Sequence, residues 1–395
     1  MIKTLKDIDI RNKRVLIRVD FNVPIENESI KDTFRLDASV DTINYCLSQN
    51  ASIVLMSHLG RPKENKEKYS LYPIMDYLEE KFNVFVHFSE DCISSKSIET
   101  SQKMLKKEIH LLENLRFYDE EILNDTKFAE KLSNHADIYV NDAFGLAHRS
   151  HASNSEISKY FNDKCIGNLM NREIKNLSQK IDKNSIVIIG GAKISTKIKM
   201  IHNYIGKASH VLIGGAMAFT FLKAQDKSIG LSLFEDDMIE QASKILDLSK
   251  DSGTSILLPV DFVCSKNIED ELNTEIFYSD NIPDDYIGLD IGPETSMQYS
   301  MILSNAKKVI WNGPMGMFEK NSFATGTQSL AYEIKELTNN NNLNSIVGGG
   351  DTVRAIRSFT QSKYFTHVST GGGASLKLLS GDELNFITTW KNNEK

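Results

Sequence analysis

The segment Ser185–Met200, SIVIIGGAKISTKIKM, places a strand, a glycine turn and a helix in immediate succession. SIVII is a short apolar run rich in β-branched residues, which is typical of a strand buried in a parallel sheet. Gly190 and Gly191 follow it, and the amphipathic stretch after them predicts a helix. A glycine turn that opens a helix is a natural anion site. No Walker P-loop and no G-x-G-x-x-G motif occurs in the chain, so the common nucleotide and dinucleotide fingerprints are excluded.

The same alternation of short apolar runs and helix-like stretches extends from end to end. In the first half the runs are VLIRVDF, SIVLMSH, NVFVHF, IHLLEN and DIYVNDAF. In the second half they are SIVIIGG, HVLIGG, SILLPVDFV, VIWNGP, SIVGGG and YFTHVSTGGG. This pattern predicts an α/β fold of two doubly wound, Rossmann-like domains with mostly parallel sheets. Ligands of such sheets bind outside the carboxyl ends of the strands.

Composition limits the class of protein. A chain of 395 residues is too long for one ordinary core, which favours two domains. A net charge of −7 argues against a nucleic-acid binder, and no apolar run is long enough to span a membrane. The N-terminal residues lack the apolar region of a secretion signal. Four scattered cysteines without a CxxC pair indicate reduced core residues, so we expect a cytoplasmic protein.

Arginine is concentrated in the first half, where eight of the ten arginines precede residue 173. Arginine offers a planar fork of donors for phosphate or carboxylate, whereas an ordinary surface charge can equally be lysine. Scattered surface arginines are the alternative for any one of them alone. Together, arginines at strand ends favour a shared anion pocket. Five lie in or just after strand-like runs: Arg18, Arg35, Arg61, Arg116 and Arg149.

Glycine and lysine dominate the chemistry of the second half. Lys193 and Lys197 are four residues apart, so a helix that opens at the glycines would place both on one face. Cations in a first turn oppose the helix dipole unless an anion is bound there. This favours an anion site over a solvated helix face.

Two more glycine-rich segments open predicted helices. In VGGGDTVRAI (347–356), Asp351 stands at the helix entry, and two interpretations stay open. It can cap the helix, or it can meet Mg²⁺ carried on nucleotide phosphates, because magnesium needs only one or two carboxylates. VSTGGGASL (368–376) suits a further anion.

Three motifs are ambiguous by themselves. AHRSH (147–151) places an arginine between His148 and His151, which favours an anion over a metal because the arginine would repel a cation. WNGPMGMFE (311–319) alone is an ordinary turn. LIGGAMAF (212–219) alone can be glycine used for close packing of a helix on a strand.

Eight segments, in order and over nearly the whole chain, resemble signatures of the phosphoglycerate kinase family: RVDFNVP, SHLGRP, LLENLRF, VNDAFGLAHRSHAS, GGAK-x5-K (ending at Lys199), WNGPMGMFE, GGGDT and STGGGAS. The resemblance implies reversible in-line phosphoryl transfer from 1,3-bisphosphoglycerate to MgADP, giving 3-phosphoglycerate and MgATP without a phosphoenzyme. It places the reaction in glycolysis and gluconeogenesis. It also implies Mg²⁺ but no tightly bound organic cofactor, a monomer, and no nucleic-acid or membrane partner.

The resemblance also assigns site residues. Phosphoglycerate would be bound by Asp20, Asn22, Arg35, His58, Leu59, Gly60, Arg61, Arg116 and Arg149, with Arg18 in support. The nucleotide would be bound by Gly190, Gly191, Lys193, Lys197, Gly214, Asn312, Glu319, Gly349, Gly350, Asp351 and Thr352, with Glu319 toward the ribose and Asp351 toward Mg²⁺. Charge on the transferring group would be neutralised by Arg35, Lys197, Gly371, Gly372 and Gly373. We prefer Lys197 to Lys199 because of the face that Lys197 shares with Lys193.

The predicted organisation follows from the same resemblance. Residues 1–168 would bind phosphoglycerate, 169–183 would form an interdomain helix, 184–376 would bind nucleotide, and 377–395 would return to the first domain. The two sheets would face each other across a hinged cleft that closes for transfer.

The sequence departs from the family pattern at Asp37, Ala216 and Thr325. Two other functions compete with the kinase. One is a nucleotide-binding regulator that keeps the fold without catalysis, which the retained Lys193, Lys197, Arg35 and Asp351 disfavour. The other is an NAD-dependent dehydrogenase, which the missing fingerprint disfavours.

Overall fold

The computed structural model describes residues 2–62 and 67–393 of the chain. Its contacts divide the chain into two compact units. Unit 1 comprises Met1–Lys175 and Glu383–Lys395, and unit 2 comprises Asn176–Asp382. Each unit holds a six-stranded parallel sheet, so the predicted α/β class with two parallel sheets is confirmed.

Unit 1 is built on a sheet in the order β5-β6-β4-β1-β7-β8. Its strands, including the small hairpin β2–β3, are β1 (Arg14–Arg18), β2 (Ile25–Glu26), β3 (Ser29–Ile30), β4 (Ser52–Met56), β5 (Val86–Ser89), β6 (Ile109–Leu112), β7 (Ile138–Asn141) and β8 (Lys164–Ile166). Its helices are α1 (Phe34–Ala38), α2 (Val40–Ser48), α3 (Ile74–Phe82), α4 (Ser95–Lys103), α5 (Asp119–Ile122), α6 (Thr126–Ser133) and α7 (Asn168–Leu177), which continues into unit 2.

The register of the central strands explains where unit 1 gathers its polar groups. Arg18 at the end of β1 pairs with Met56 of β4 on one side and with Asn141 of β7 on the other. The three strands therefore end at one level, and the segments that follow them leave the sheet together. Every residue of β4 and β7 is buried, as expected for strands covered on both faces.

Unit 2 has a sheet in the order β12-β10-β9-β17-β18-β19, together with a three-stranded antiparallel sheet β14-β13-β16. Its strands are β9 (Ser185–Ile189), β10 (His210–Ile213), β11 (Ser228–Ile229), β12 (Ser255–Leu257), β13 (Asp261–Ser265), β14 (Glu275–Tyr278), β15 (Asn281–Ile282), β16 (Ile287–Ile291), β17 (Lys308–Asn312), β18 (Asn344–Gly348) and β19 (His367–Val368). Its helices are α8 (Ile198–Tyr204), α9 (Met217–Lys223), α10 (Ile239–Lys250), α11 (Pro293–Leu303), α12 (Thr325–Asn341), α13 (Gly350–Phe359) and α14 (Gly372–Leu379).

Two expectations from the sequence were wrong in unit 2. The helix after Gly190–Gly191 begins only at Ile198, because residues 191–197 form a turn. Lys193 and Lys197 therefore share no helical face. The apolar run SILLPVDFV is also not one strand, since its proline separates β12 from β13, which belong to different sheets.

The last element, α15 (Asn385–Asn393), belongs to unit 1. The ring of Trp390 lies 5.9 Å from Tyr139 of β7 and 5.3 Å from Phe386, and both Phe386 and Leu384 are fully buried. Residues 383–393 thus belong to unit 1 and contribute Leu384, Phe386 and Trp390 to its core. The helix predicted over 169–183 ends at Leu177.

All four cysteines lie in the described part of the chain as buried free thiols, as the sequence predicted. Among the residues that the structure describes, none of the helices combines the length and the apolar character needed to cross a bilayer.

Candidate functional site

A cluster of arginines surrounds a buried histidine where the central strands of unit 1 end. Arg18, the last residue of β1, is fully buried and hydrogen-bonds through Nη2 to Nδ1 of His58 at 3.3 Å. Asp20 lies between this pair and Arg35, with its carboxylate 3.9 Å from His58 and 3.4 Å from Arg35. Arg35 comes from α1 and not from a strand run, so its predicted setting was wrong although it reaches the same cluster.

Loops after β1, β4, β6 and β7 hold the remaining predicted groups. The amide N–H of Gly60 donates to Oδ1 of Asn22 at 2.8 Å, and the Gly60 carbonyl accepts from Arg116 at 2.5 Å. Gly60 has φ +59° and leaves no room for a side chain, because a β-carbon there would lie 2.3 Å from the ring of Tyr69. The buried Leu59 precedes it and the exposed Arg61 follows it. Arg149, in the loop after β7, lies 3.3 Å from His148.

The charges of this cluster favour an anionic ligand. Burial, reinforced by Arg18, Arg116 and Arg35, holds the pKa of His58 well below its usual value of 6.5, so His58 is neutral. Burial and the fields of Arg18 and Arg149 lower the pKa of Arg116 to about 10. Burial and the fields of Arg18, Arg116 and Arg149 lower the pKa of His151 to about 3. Positive groups that depress each other's pKa values in this way are stabilised when an anion binds among them.

Sequence reasoning missed the group that supports Arg18. Glu121 of α5 is fully buried, with a carboxylate oxygen 3.7 Å from Arg18. Ser153 joins the two side chains, because its hydroxyl contacts Glu121 at 2.7 Å and accepts from Arg18 Nε at 2.7 Å. The sequence gives no signal for its burial, because Glu121 follows two other acidic residues in the acidic run DEE (119–121). The sequence does not reveal its partner.

Not every polar residue at these strand ends faces the cluster. Asn141 hydrogen-bonds to Asn154 at 2.6 Å inside the unit. Asp142 is also buried, and it accepts from the backbone N–H of Met170 near the start of α7. Burial raises the pKa of Asp142 to about 7. These two side chains are structural and are not ligands for a substrate.

In unit 2 a cavity of about 380 Å³ lies beside the strand ends of the parallel sheet. One wall is apolar and includes Phe219, Phe262 and Met317, and the floor is the backbone of Gly191 and Gly215. A β-carbon at Gly215, which has φ +67°, would lie 2.5 Å from the backbone nitrogen of Gly191. Glu319 and Asp351 line the same cavity with carboxylates. An apolar slot with a polar rim suits a nucleobase and its sugar.

The side chain of Lys197 lies next to Asn312, the last residue of β17. Its ammonium donates to the backbone carbonyl of Asn312 at 3.0 Å and to the Asn312 side-chain oxygen. Burial lowers the pKa of Lys197 to about 8, and the carboxylate of Asp351 opposes this shift. The Asn312 amide nitrogen is buried without a hydrogen-bond partner within the described residues. A half-buried cation beside a buried donor that has no partner is an arrangement that an anion would complete.

The starts of two helices meet next to these groups. A β-carbon at Gly349, the N-cap of α13, would lie 3.0 Å from the Asn312 amide nitrogen. A β-carbon at Gly372, the first residue of α14, would lie 3.1 Å from the backbone nitrogen of Gly350. The hydroxyl of Ser375 accepts from Gly349 N–H at 3.1 Å and links the two starts. Two positive helix ends therefore converge beside Lys197.

Asp351 is the second residue of α13, and Gly349 is the N-cap, so the helix-capping interpretation of Asp351 was wrong. The side chain of Asp351 is 75% exposed and lies 3.5 Å from Arg354. A single accessible carboxylate fits Mg²⁺ that arrives with phosphate oxygens and water as its other ligands. Thr352 turns inward, where its hydroxyl accepts from Gly313 N–H at 2.6 Å.

Some residues that were predicted to bind the nucleotide pack behind the cavity and do not line it. Gly190 and Gly214 are packed, because a β-carbon would lie 2.1 Å from the Pro314 carbonyl or 2.5 Å from Met315 Sδ, respectively. The neighbours Gly191 and Gly215 line the cavity instead. Lys193 is exposed, and Lys199 is exposed and 3.7 Å from Asp382. The position of Lys197 beside Asn312 therefore favours Lys197 over Lys199 as the lysine that would meet an anion.

The three departures from the family pattern have different settings. Ala216 lines the cavity, where its methyl group narrows the space. Asp37 accepts hydrogen bonds from Lys81 at 2.6 Å and Tyr77 at 2.9 Å, so its charge is paired within unit 1. Thr325 begins α12 and is exposed.

Comparisons with known proteins identify the family of the chain. The family described as phosphoglycerate kinase matches residues 5–382. A phosphoglycerate kinase of Finegoldia magna is 44% identical over 98% of each chain, and a cytosolic one of Nicotiana tabacum is 41% identical over 97% of this chain and 96% of the relative. The solved structure of phosphoglycerate kinase from Coxiella burnetii superposes with a TM-score of 0.87 at 33% identity and covers 100% of both chains. The chain belongs to the phosphoglycerate kinase family.

Proposed function

We propose that the arginine cluster of unit 1 binds 3-phosphoglycerate and 1,3-bisphosphoglycerate, and that the cavity of unit 2 binds ADP and ATP. The chain is a phosphotransferase with a carboxyl group as acceptor, as its family and its relatives imply. One observation carries the assignment of the nucleotide site. A slot for a nucleobase lies beside a half-buried lysine and two converging helix starts.

The reaction explains why no general base is needed. In the direction of ATP consumption the nucleophile is the carboxylate of 3-phosphoglycerate, which is already ionised near pH 7. Catalysis then consists of in-line positioning and of neutralising charge on the transferring phosphoryl group. With a pKa of about 8, Lys197 is mostly protonated at pH 7 and supplies a cation at that point. Gly372 and Gly373 at the start of α14 would supply backbone N–H donors, and Arg35 would supply a cation from unit 1. The N–H of Gly371, which the sequence also predicted as a donor, instead donates to Ser369 Oγ at 3.2 Å.

Mg²⁺, when bound with the nucleotide, neutralises phosphate charge and orients the phosphates, and Asp351 would hold it. Asn312 would fix the phosphate end of the nucleotide, Thr352 would support that end by holding the Gly313 N–H, and Glu319 would accept from the ribose hydroxyls. Because transfer requires the two ligands to meet, the proposal includes closure of the two units during turnover. The proposal also places the chain in the cytoplasm, which the cytosolic relative from Nicotiana tabacum supports, and takes it to act as a monomer.

A coupled assay that follows ATP-dependent formation of 1,3-bisphosphoglycerate tests the activity. We expect turnover that needs Mg²⁺. Binding of both ligands without turnover would instead support the regulatory alternative.

Replacement of Arg116 tests the assignment of the substrates to the units. We expect Arg116→Ala to raise mainly the KM for 3-phosphoglycerate, because this guanidinium belongs to the cluster in unit 1. Lys81→Ala, which removes a cation on the surface of the same unit, is the matched control. A change confined to the KM for ATP would overturn the assignment.

A further inference from the structure

The rim of the unit 2 cavity contains a cation that the family resemblance did not predict. Arg354 lies on α13, one turn after Asp351. Its Nη2 donates to Oε1 of Glu319 at 2.5 Å and lies 3.5 Å from Oδ1 of Asp351. Its guanidinium also stacks over the ring of Phe318, with 5.0 Å between the guanidinium carbon and the ring centroid. All three partners line the cavity, so one guanidinium bridges both of the carboxylates assigned to the nucleotide.

The charges at this rim act differently on metal-free and metal-bound nucleotide. Two carboxylates repel the phosphates of ADP, and a cation between them reduces that repulsion. The same cation lies at Asp351, the carboxylate that would meet Mg²⁺, and it opposes the approach of a divalent ion. Arginine keeps its charge at all ordinary pH values, so this balance does not depend on protonation.

We propose that Arg354 is a specificity-determining residue that weakens the preference of the site for Mg-bound over metal-free nucleotide. It neutralises Glu319 and Asp351 for a bare nucleotide and competes with Mg²⁺ for Asp351. The inference rests on the proposed nucleotide site in unit 2. The residue concerned is Arg354, whose guanidinium contacts the carboxylates of both Glu319 and Asp351.

The size of the effect follows from exposure. The side chains of Arg354, Glu319 and Asp351 are 62%, 48% and 75% exposed, so water and salt screen their interactions. Ion pairs of this kind change equilibria by about two- to fivefold. The effect is therefore a change in a ratio of affinities and not a loss of binding.

The test compares the Kd of ADP with EDTA and with excess Mg²⁺, measured by calorimetry on the full chain. In Arg354→Ala we expect metal-free ADP to bind about two- to fivefold more weakly. MgADP should bind equally or more tightly. The Kd of metal-free ADP divided by the Kd of MgADP should therefore rise. The rise should shrink at high salt. An unchanged or smaller ratio at low salt would overturn the proposal.

Two further variants keep this test decisive. Arg357→Ala removes the same charge from the same helix, one turn farther on, at a position outside the cavity lining, and should leave the ratio unchanged. Arg354→Lys keeps the charge but loses the fork, and should give an intermediate ratio. If Arg354→Ala does not fold, a wild-type ratio in Arg354→Lys and Arg354→Gln alike overturns the proposal.

Ala216→Leu separates failure of this inference from failure of the nucleotide assignment. It narrows the cavity at a lining residue and should weaken ADP binding with and without Mg²⁺. If it does so while Arg354→Ala leaves the ratio unchanged, only the role of Arg354 is wrong. If neither variant alters ADP binding, the nucleotide binds elsewhere.

Discussion

Burial lowers the pKa of two residues of the candidate sites, with different results at neutral pH. His58 is neutral because it lies in the core beside three arginines, so it offers a hydrogen bond without adding charge. Lys197 remains cationic at neutral pH although burial lowers its pKa to about 8. An incoming phosphate stabilises the charged form of the lysine, because an anion nearby raises the pKa of an ammonium group. The lysine is therefore best suited to its task when the substrate is present.

Lys197→Ala should lower kcat about 10²–10³-fold, as removal of one donor from a preorganised anion site typically does. Nucleotide binding should weaken far less, because the cavity wall and the rim carboxylates are unchanged. Steady-state kinetics together with the Kd of MgADP measure the two effects. Lys199→Ala, at an exposed lysine two residues away, is the control. Equal losses in kcat and affinity would make Lys197 a binding residue only.

Glu121→Gln should destabilise unit 1 by about 3 kcal/mol, because it leaves the buried Arg18 without its carboxylate partner. The change is nearly isosteric, so packing is preserved and the loss reports the missing charge. Urea unfolding followed by fluorescence measures it. Glu120→Gln removes the same charge from the exposed neighbouring residue and should have almost no effect. A similar loss in both variants would rule out the buried pair as the cause.

At the scale of elements, α4 and β6 are joined by a buried polar network. The hydroxyl of Ser101 in α4 contacts His110 of β6 at 2.8 Å and His135, which follows α6, at 2.6 Å. His110 reaches Ser89 of β5 at 2.8 Å through its other nitrogen. Burial, with the neighbouring His135 and His87, lowers the pKa of His110 to about 3. Burial also lowers the pKa of His135.

This network should make unit 1 sensitive to acid. In the unfolded chain His110 binds a proton near pH 6.5, whereas in the folded chain it does so only near pH 3. The unfolded state thus binds more protons in this window, and the free energy of unfolding falls as the pH drops from 6.5 toward 3. Protonation of His110 in the unfolded chain should by itself lower the free energy of unfolding by about 2 kcal/mol at pH 5.

Urea unfolding at pH 7 and pH 5 measures this slope. Trp390 reports on unit 1 once Trp311, the other tryptophan, is replaced by phenylalanine. His110→Gln in that background should flatten the dependence on pH, whereas His202→Gln, at an exposed position in unit 2, should not. A slope that survives His110→Gln would assign the acid sensitivity to other groups.

Elements defined by a short apolar run and a glycine were predictable from the sequence. The segment SIVIIGG gives β9 and its turn because buried strands and tight turns are set by local sequence. The start of α8 was not predictable, since ISTK has no feature that excludes a helix, and Glu235 holds it as a turn by accepting from Ser195 N–H at 3.0 Å. The partners of Glu121 and Arg354 were hidden for a similar reason. Each pairs with a residue more than 30 positions away.

At the scale of the molecule, residues 383–393 complete a core that begins at residue 2. Phe386 is fully buried, its backbone N–H donates to the Ala147 carbonyl at 3.5 Å, and its ring packs on Trp390. This helix therefore stabilises unit 1 although 207 residues of unit 2 separate it from the rest of that unit.

Phe386→Ala should lower the free energy of unfolding of unit 1 by about 3–5 kcal/mol, since it removes a buried aromatic ring and leaves a cavity. Trp390 fluorescence in the Trp311→Phe background follows unit 1, and Trp311 fluorescence in a Trp390→Phe background follows unit 2. Unit 2 should keep its stability. Phe85→Ala, at a phenylalanine that is 60% exposed, is the control. Loss of stability in unit 2 alone would contradict the assignment of α15 to unit 1.

The position of α15 in the chain has a consequence for biosynthesis. Unit 2 is an insertion within unit 1, so a ribosome produces every residue of unit 2 before it produces the helix that completes unit 1. Unit 2 can thus reach its native state during translation, while unit 1 must wait with part of its apolar surface uncovered. The nascent chain would then mature in the reverse of its sequence order, with unit 2 formed first and unit 1 completed last.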